Sequence, residues 1–203
     1  NVTIATSKSQ ASAINNQLGE AVDLSIEPCR RDTFPAIALA CSFLHDVKGV
    51  GDDEPVVVCP VDPYVDNTYF KALSDLSDMA AQGDYNLNLM GIEPTYPSEK
   101  YGYIIPKEAA DVSEVLEFKE KPDAVTAKEY IEKGALWNGG GFAFKLGYVL
   151  NKAHELIDFK DYQDFFDRYE NSNKISFDYA VVEKENSIRS RSEERFSRNA
   201  ETD

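Results

Sequence analysis

The chain has 203 residues, a formal net charge of −15 and 42% hydrophobic residues. That length suits one domain or slightly more, with a core of ordinary size. The acidic balance argues against a long nucleic acid or an anionic membrane as partner, though not against a small phosphorylated ligand held by local geometry. Cys29, Cys41 and Cys59 have no metal-like spacing and read as reduced thiols, Cys41 and Cys59 inside apolar runs. No stretch approaches the roughly 18 apolar residues of a membrane span, and the first residues show no signal-peptide pattern. A cytoplasmic setting is the default expectation.

In chain order, Val2–Thr6 reads as a short strand, Gln10–Leu18 as a helix and Val22–Ile26 as a second strand. The polar loop Glu27–Thr33 carries Arg30 and Arg31. Phe34–Leu44 is apolar on nearly every side, which predicts a buried helix with Asp32 or Thr33 as its cap. Val56–Cys59 predicts a central parallel strand, and Pro60-Val61-Asp62-Pro63 places one carboxylate just past its end, the edge where open α/β sheets bind ligands. Asn67–Met79 reads as a helix with Phe70, Leu73, Leu76 and Met79 on one face; Tyr85–Ile92 and Tyr101–Ile105 read as strands.

The central stretch is Asp111–Phe144. Val112, Val115, Leu116 and Phe118 predict a strand that ends on Lys119-Glu120-Lys121 before Pro122. Ala124–Lys133 is a polar helix with Asp123 as N-cap. Trp137-Asn138-Gly139-Gly140-Gly141-Phe142 then sets three glycines between bulky apolar residues. Adjacent Glu120 and Lys121 offer an acceptor for a hydroxyl and a cation for a phosphate, and a glycine run lets backbone amides approach a ligand. Together they suggest a sugar-phosphate site. Tyr148–Leu156 and Tyr162–Tyr169 read as helices, and Ser176-Phe177-Asp178 as a helix start. Alternating strands and helices predict a mostly parallel sheet with helices on both faces. Arg189–Asp203 has no amphipathic period and reads as a disordered or non-native tail, which leaves residues 1–188 as the domain and gives the tail little weight in stability.

Several of these pieces carry a resemblance. Glu27-Pro28-Cys29-Arg30-Arg31-Asp32-Thr33-Phe34-Pro35-Ala36-Ile37-Ala38-Leu39-Ala40 resembles the E-P-x-x-R-N-T-A-P-A-I-A-L-A stretch of mannose-1-phosphate guanylyltransferases, also called GDP-mannose pyrophosphorylases. Cys59–Pro63 resembles their L-P-A-D-H. Gly91–Pro97 with Tyr101–Ile104 is similar to G-I-x-P-T-x-P…Y-G-Y-I. Phe118–Pro122 matches F-x-E-K-P, Trp137–Phe142 resembles W-N-S-G-M-F, and Ser176–Val181 resembles S-I-D-Y-A-V. The motifs follow one another in the family's order from about residue 2 to about residue 186.

The resemblance implies a Rossmann-like three-layer α/β/α nucleotidyltransferase domain with a mostly parallel, mixed sheet, incomplete at both ends. It implies transfer of a nucleotidyl group from GTP to mannose 1-phosphate, with Mg²⁺ as cofactor and pyrophosphate as leaving group. Asp62 would be metal ligand and catalytic residue, and Lys121 a catalytic contact to phosphate. Glu120, Asn138, Gly139, Gly102 and Asp178 would bind the sugar phosphate; Glu27, Arg31 and Thr33 would bind the nucleotide. Six of these have a plainer reading: Asp62 a turn residue, Lys121 a solvated lysine, Asn138 a turn former, Gly102 a bulge, Glu27 a loop acid and Asp178 a helix start. The family's glycine-rich triphosphate loop and its second metal-binding aspartate are not among these 203 residues. The chain alone is therefore expected to be inactive. Another hexose 1-phosphate as substrate, or a non-catalytic sugar-phosphate-binding module, are the alternatives. The reading leaves room for a homodimer.

Overall fold

The computed structural model describes residues 1–193. In chain order they form β1 (Thr3–Ser7), α1 (Lys8–Leu18), β2 (Asp23–Glu27), α2 (Thr33–Ser42), β3 (Pro55–Val58), α3 (Asn67–Gln82), β4 (Leu87–Ile92), β5 (Tyr103–Pro106), β6 (Val112–Lys119), α4 (Ala124–Glu132), β7 (Leu136–Lys145), α5 (Leu146–Leu156), α6 (Tyr162–Arg168), α7 (Phe177–Ala180) and β8 (Ile188–Glu193). Asp32, Asp66, Asp123 and Asp161 stand at the N-caps of α2, α3, α4 and α6, each accepting from a backbone N–H of the first turn. No helix among the described residues is long and apolar enough to cross a membrane.

The chain divides into two compact units. The first holds Asn1–Glu54 and Leu146–Ala180. Here β1 and β2 pair in parallel, from Thr3 opposite Asp23 to Ser7 opposite Glu27. Ala38 and Leu39 of α2 pack with Ala153 of α5 and with Phe159, Phe165 and Tyr169. The apolar α2 is mostly buried, as its composition predicts.

The second unit holds Pro55–Lys145 and the chain from Val181 onward. Its six strands run in the order β3-β7-β4-β8-β6-β5, and β5 also pairs with β7. The sheet is mixed. β3, β4, β8 and β5 run one way and β7 and β6 the other, so β4–β8 is its one parallel ladder among the described residues. The expected central parallel strand at Val56–Cys59 is instead β3, antiparallel to β7 at the end of the strand order, with all four residues half-buried. An apolar run does not distinguish a strand packed on one partner and a helix from one buried between strands. Val57 and Cys59 rest on the cluster that α3 builds from Tyr69, Ala72, Leu76 and Met79; Phe70, expected on that face, is 59% exposed. A second cluster gathers Tyr103, Ile105, Ala127, Tyr130 and Trp137 between α4 and the strands β5 and β7.

The tail expectation is corrected for residues 189–193; residues 194–203 lie outside the described residues. Ile188–Glu193 is a strand inserted between β4 and β6. Its arginines supply the side-chain contacts that an apolar run would otherwise make. Arg191 holds Asp75 of α3 through Nε at 2.9 Å and Nη2 at 2.8 Å. Arg189 lies over the Tyr85 ring at 5.0 Å and bonds to Asn88 and the Met79 carbonyl. Burial opposes ionisation of Asp75, but hydrogen bonds from Lys71 and Arg191 outweigh it and hold the carboxyl below its usual range. Asp75 is a third exposed, so solvent screening keeps the pair's worth modest.

Arg191→Ala should therefore destabilise the chain by about 1–2 kcal/mol, read as a lower urea midpoint at pH 7. The contribution of a depressed carboxyl is present above its unfolded value near 4 and is lost as pH falls through its folded value. The variant and the unaltered chain should draw together in stability as pH falls below about 4. Ending the chain at Ser187 should cost several degrees in Tm; an unchanged Tm would contradict the strand.

Candidate functional site

Strand β7 organises the site in the second unit. β4 lies along one edge of β7, from Trp137 opposite Ile92 to Ala143 opposite Asn88. The other edge is shared by β5, at Leu136 and Trp137, and by β3, from Phe142 to Lys145. Between those two partners lie Asn138, Gly139, Gly140 and Gly141. Against β4 the register slips there, because Asn138 is opposite Gly91 while Phe142 is opposite Leu89. The glycines are thus neither a loop nor a tight turn but a bulge inside a continuous strand. Gly140 takes φ +70°, a conformation open to glycine at no steric cost.

The ends of neighbouring elements meet this bulge. The Asn138 N–H donates to the Gly102 carbonyl at 2.8 Å, just before β5 begins. Asn138 Oδ1 accepts from the Gly140 N–H at 3.1 Å. On the other side Pro60, in the loop after β3, lies beside Gly140. That loop carries Asp62, whose side chain is exposed. Its charge is felt by Tyr69: burial first, then neighbouring Cys59 and Asp62, push the phenol's pKa upward.

Glu120 and Lys121 follow the end of β6. Glu120 is 6% exposed, and a buried carboxylate needs a partner. Lys121 Nζ supplies it at 2.8 Å from Oε1, with half of the lysine side chain still open to solvent. Lys121 adopts φ +47°, uncommon for a residue with a Cβ and a mark of stored strain. The other carboxylate oxygen presses on Gly102: a Cβ there would stand 2.6 Å from Glu120 Oε2 and 2.7 Å from the Phe118 ring. Glycine at 102 is thus a condition for this arrangement. Trp137, Phe142 and Phe144 are buried core residues, as anticipated.

Glu27, Arg31, Thr33 and Asp178 belong to the first unit. The Glu27 carboxylate, at the end of β2, accepts from the buried Tyr169 hydroxyl at 3.0 Å. Burial, and next the Glu27 charge, raise that phenol's pKa. Arg31 directs its guanidinium onto the Glu170 carbonyl, with Nε at 3.0 Å. Thr33 Oγ1 accepts from the Phe177 N–H at 2.8 Å, and Phe34 N–H donates to the Ile175 carbonyl at 3.2 Å. These bonds bring Arg31 and Thr33 to the segment leading into α7, whose second residue is the half-buried Asp178. Each of the four thus has a structural tie besides the role expected of it, or sits next to such a tie.

Sequence reasoning missed Glu183. Its carboxylate accepts from the Glu120 N–H at 3.0 Å and from Lys119 Nζ at 3.2 Å. The only signal available was its place just past the Ser176–Val181 motif, and nothing in the spacing pairs it with a residue 63 positions earlier. A cleft of about 340 Å³ elsewhere in the unit is bordered by Glu93, Glu108 and Asp111 and by apolar residues such as Ile131 and Leu136. None of the site residues lines it, and its carboxylates disfavour a phosphate.

Residues 1–182 match the Nucleotidyl transferase family. The chain belongs to that family. A mannose-1-phosphate guanylyltransferase of Escherichia coli is 31% identical over 189 residues, covering 80% of this chain and 40% of the relative. Its counterpart from Salmonella muenchen is 36% identical over 142 residues, covering 66% of this chain and 29% of the relative. The chain thus spans well under half the length of these relatives. Among solved structures, a mannose-1-phosphate geranyltransferase from Thermus thermophilus superposes with a TM-score of 0.76 at 28% identity, covering 95% of this chain and 58% of the other.

Gly102→Ala should force both the Glu120 carboxylate and the Phe118 ring to move, an overpacking cost of about 1–3 kcal/mol. Chemical denaturation should register it. A crystal structure of the variant should show Glu120 turned from its present contact; an unmoved Glu120 would contradict the close approach.

Proposed function

We propose that the chain is part of a mannose-1-phosphate guanylyltransferase and that Glu120, Lys121, Gly102, Asn138 and Gly139 form its sugar-phosphate site. The observation that carries this reading is the pairing of a buried carboxylate with a half-exposed lysine beside the β7 bulge. Lys121 gives a charge-assisted bond to the phosphate. Glu120 accepts from sugar hydroxyls, and the Asn138 carboxamide bonds to them as well. In this reading Glu27, Arg31 and Thr33 serve the nucleotide and Asp178 the sugar.

In the reaction, an oxygen of the sugar 1-phosphate attacks the α-phosphorus of GTP. A new P–O bond forms, the bond to the bridging oxygen of the β-phosphate breaks, and pyrophosphate leaves with the electron pair. Negative charge spreads over the phosphoryl oxygens, so the protein's task is to position the reactants and offset that charge. Lys121 does this at the attacking phosphate. Asp62 is the residue that would hold Mg²⁺. An exposed hard carboxylate fits an ion that completes its shell with water and substrate phosphate. When bound, Mg²⁺ supplies positive charge to those phosphates. A cytoplasmic setting, where the free thiols Cys29, Cys41 and Cys59 stay reduced, goes with this reading.

Calorimetric titration of the chain tests it. Mannose 1-phosphate should bind more tightly than mannose or glucose 1-phosphate. Lys121→Ala should raise the Kd for mannose 1-phosphate by about ten- to hundredfold, the equivalent of about 1.5–3 kcal/mol, and leave mannose unaffected. Asn138→Ala should weaken both ligands alike. Equal affinity for the three ligands, or indifference of mannose 1-phosphate to Lys121→Ala, would overturn the reading.

A further inference from the structure

The ladder between β5 and β6 has its last pair at Tyr103 and Lys119. The next residue, Glu120, is buried, yet its N–H lies beyond that ladder. A buried amide without an acceptor costs free energy comparable to a lost hydrogen bond. Glu183 provides the acceptor, at 3.0 Å. It stands on the single helical turn Val182–Lys184, shortly before β8. Because β8 runs antiparallel to β6, the entry to β8 lies alongside the exit from β6, which brings two distant stretches of sequence together.

The second contact of Glu183 is with the Lys119 ammonium, at 3.2 Å. That ion pair offsets the added negative charge close to Lys121. The same short stretch then reverses at Lys121 with φ +47° and returns the ammonium to Glu120. Glu120 has little latitude, because its other oxygen is against the Gly102 backbone. A displacement of the Glu120 amide by a few tenths of an ångström is thus passed directly to the carboxylate and to Lys121.

We propose that Glu183 is a positioning residue: it fixes the Glu120 amide and so sets the carboxylate and ammonium in the geometry that the sugar phosphate requires. The inference rests on the sugar-phosphate reading of that pair and adds a determinant of affinity that does not touch the ligand. It acts as a hydrogen-bond acceptor first and as a charge second, so glutamine, which keeps a carbonyl acceptor, should largely replace it.

The test compares Glu183→Ala and Glu183→Gln in the full chain, with mannose 1-phosphate as the titrant. Glu183→Ala should weaken binding about tenfold, and Glu183→Gln by no more than about threefold. Amide hydrogen exchange supplies a readout that needs no ligand. The Glu120 amide should exchange faster in Glu183→Ala and stay slow in Glu183→Gln, while the Leu89 and Phe142 amides in the β4–β7 ladder stay unchanged in both. An Ala variant that binds within twofold of the unaltered chain overturns the inference, as does a Gln variant as weak as Ala. Faster exchange throughout the sheet would mean a general structural role and overturns it too. If the unaltered chain itself fails to bind mannose 1-phosphate, the functional reading falls and this inference with it. Binding that is indifferent to Glu183 removes the inference alone.

Discussion

The second unit depends on the two edges of one strand. β7 has β4 along one side, and on the other it passes from β5 to β3. No regular strand can change partners in mid-course while keeping every ladder bond; something must take up the mismatch. The bulge at Gly139–Gly141, seen as a register slip against β4, falls in the interval between those two partners, and Gly140 has left-handed backbone there. The consequence is a stretch of β7 edge that neither β3 nor β5 covers, with Asn138 at its start. Within that stretch the Asn138 N–H is tied to the Gly102 carbonyl and the Gly140 N–H to the Asn138 side chain.

Around that stretch the chemistry is arranged by steric exclusion as much as by attraction. Glu120 is held where it is because Gly102 has no side chain, because Lys121 answers its charge and because Glu183 answers its amide. Each of these is a local requirement, and together they leave the carboxylate one position. A buried ion pair adds little to stability when desolvation is set against attraction. In the function proposed above, the pair and the strained lysine beside it serve recognition rather than stability.

Much of this was legible in the sequence, and the parts that were not share a cause. Periodicity and caps located the helices: Asp123 starts α4 as expected, and the all-apolar α2 is mostly buried. The Glu120–Lys121 pair and Asn138 were singled out from their chemistry, and the fold brings them to Gly102 from opposite directions. The glycine run, however, carries no sign of whether it turns the chain or widens a strand, since that depends on what lies at either edge. β8 was hidden for a related reason. Its sequence, Ile188–Glu193, alternates serine with arginine and looks like solvent-facing chain, yet Asp75 and Tyr85, more than a hundred residues away, give the arginines their partners. Glu183 was equally silent. Strand order and long-range polar pairing are set by tertiary contacts, whereas the motifs that carried the family resemblance are local.

The central claim is that the uncovered stretch of β7, with the Glu120–Lys121 pair beside it, is where a sugar phosphate binds. Amide chemical shifts of the isotopically labelled chain, followed during titration with mannose 1-phosphate, test it most directly. The account predicts that the largest changes fall on Gly102, Glu120, Lys121 and Asn138–Gly141. Changes centred instead on Glu93, Glu108 and Asp111, around the acidic cleft, or spread evenly over the chain, would contradict it.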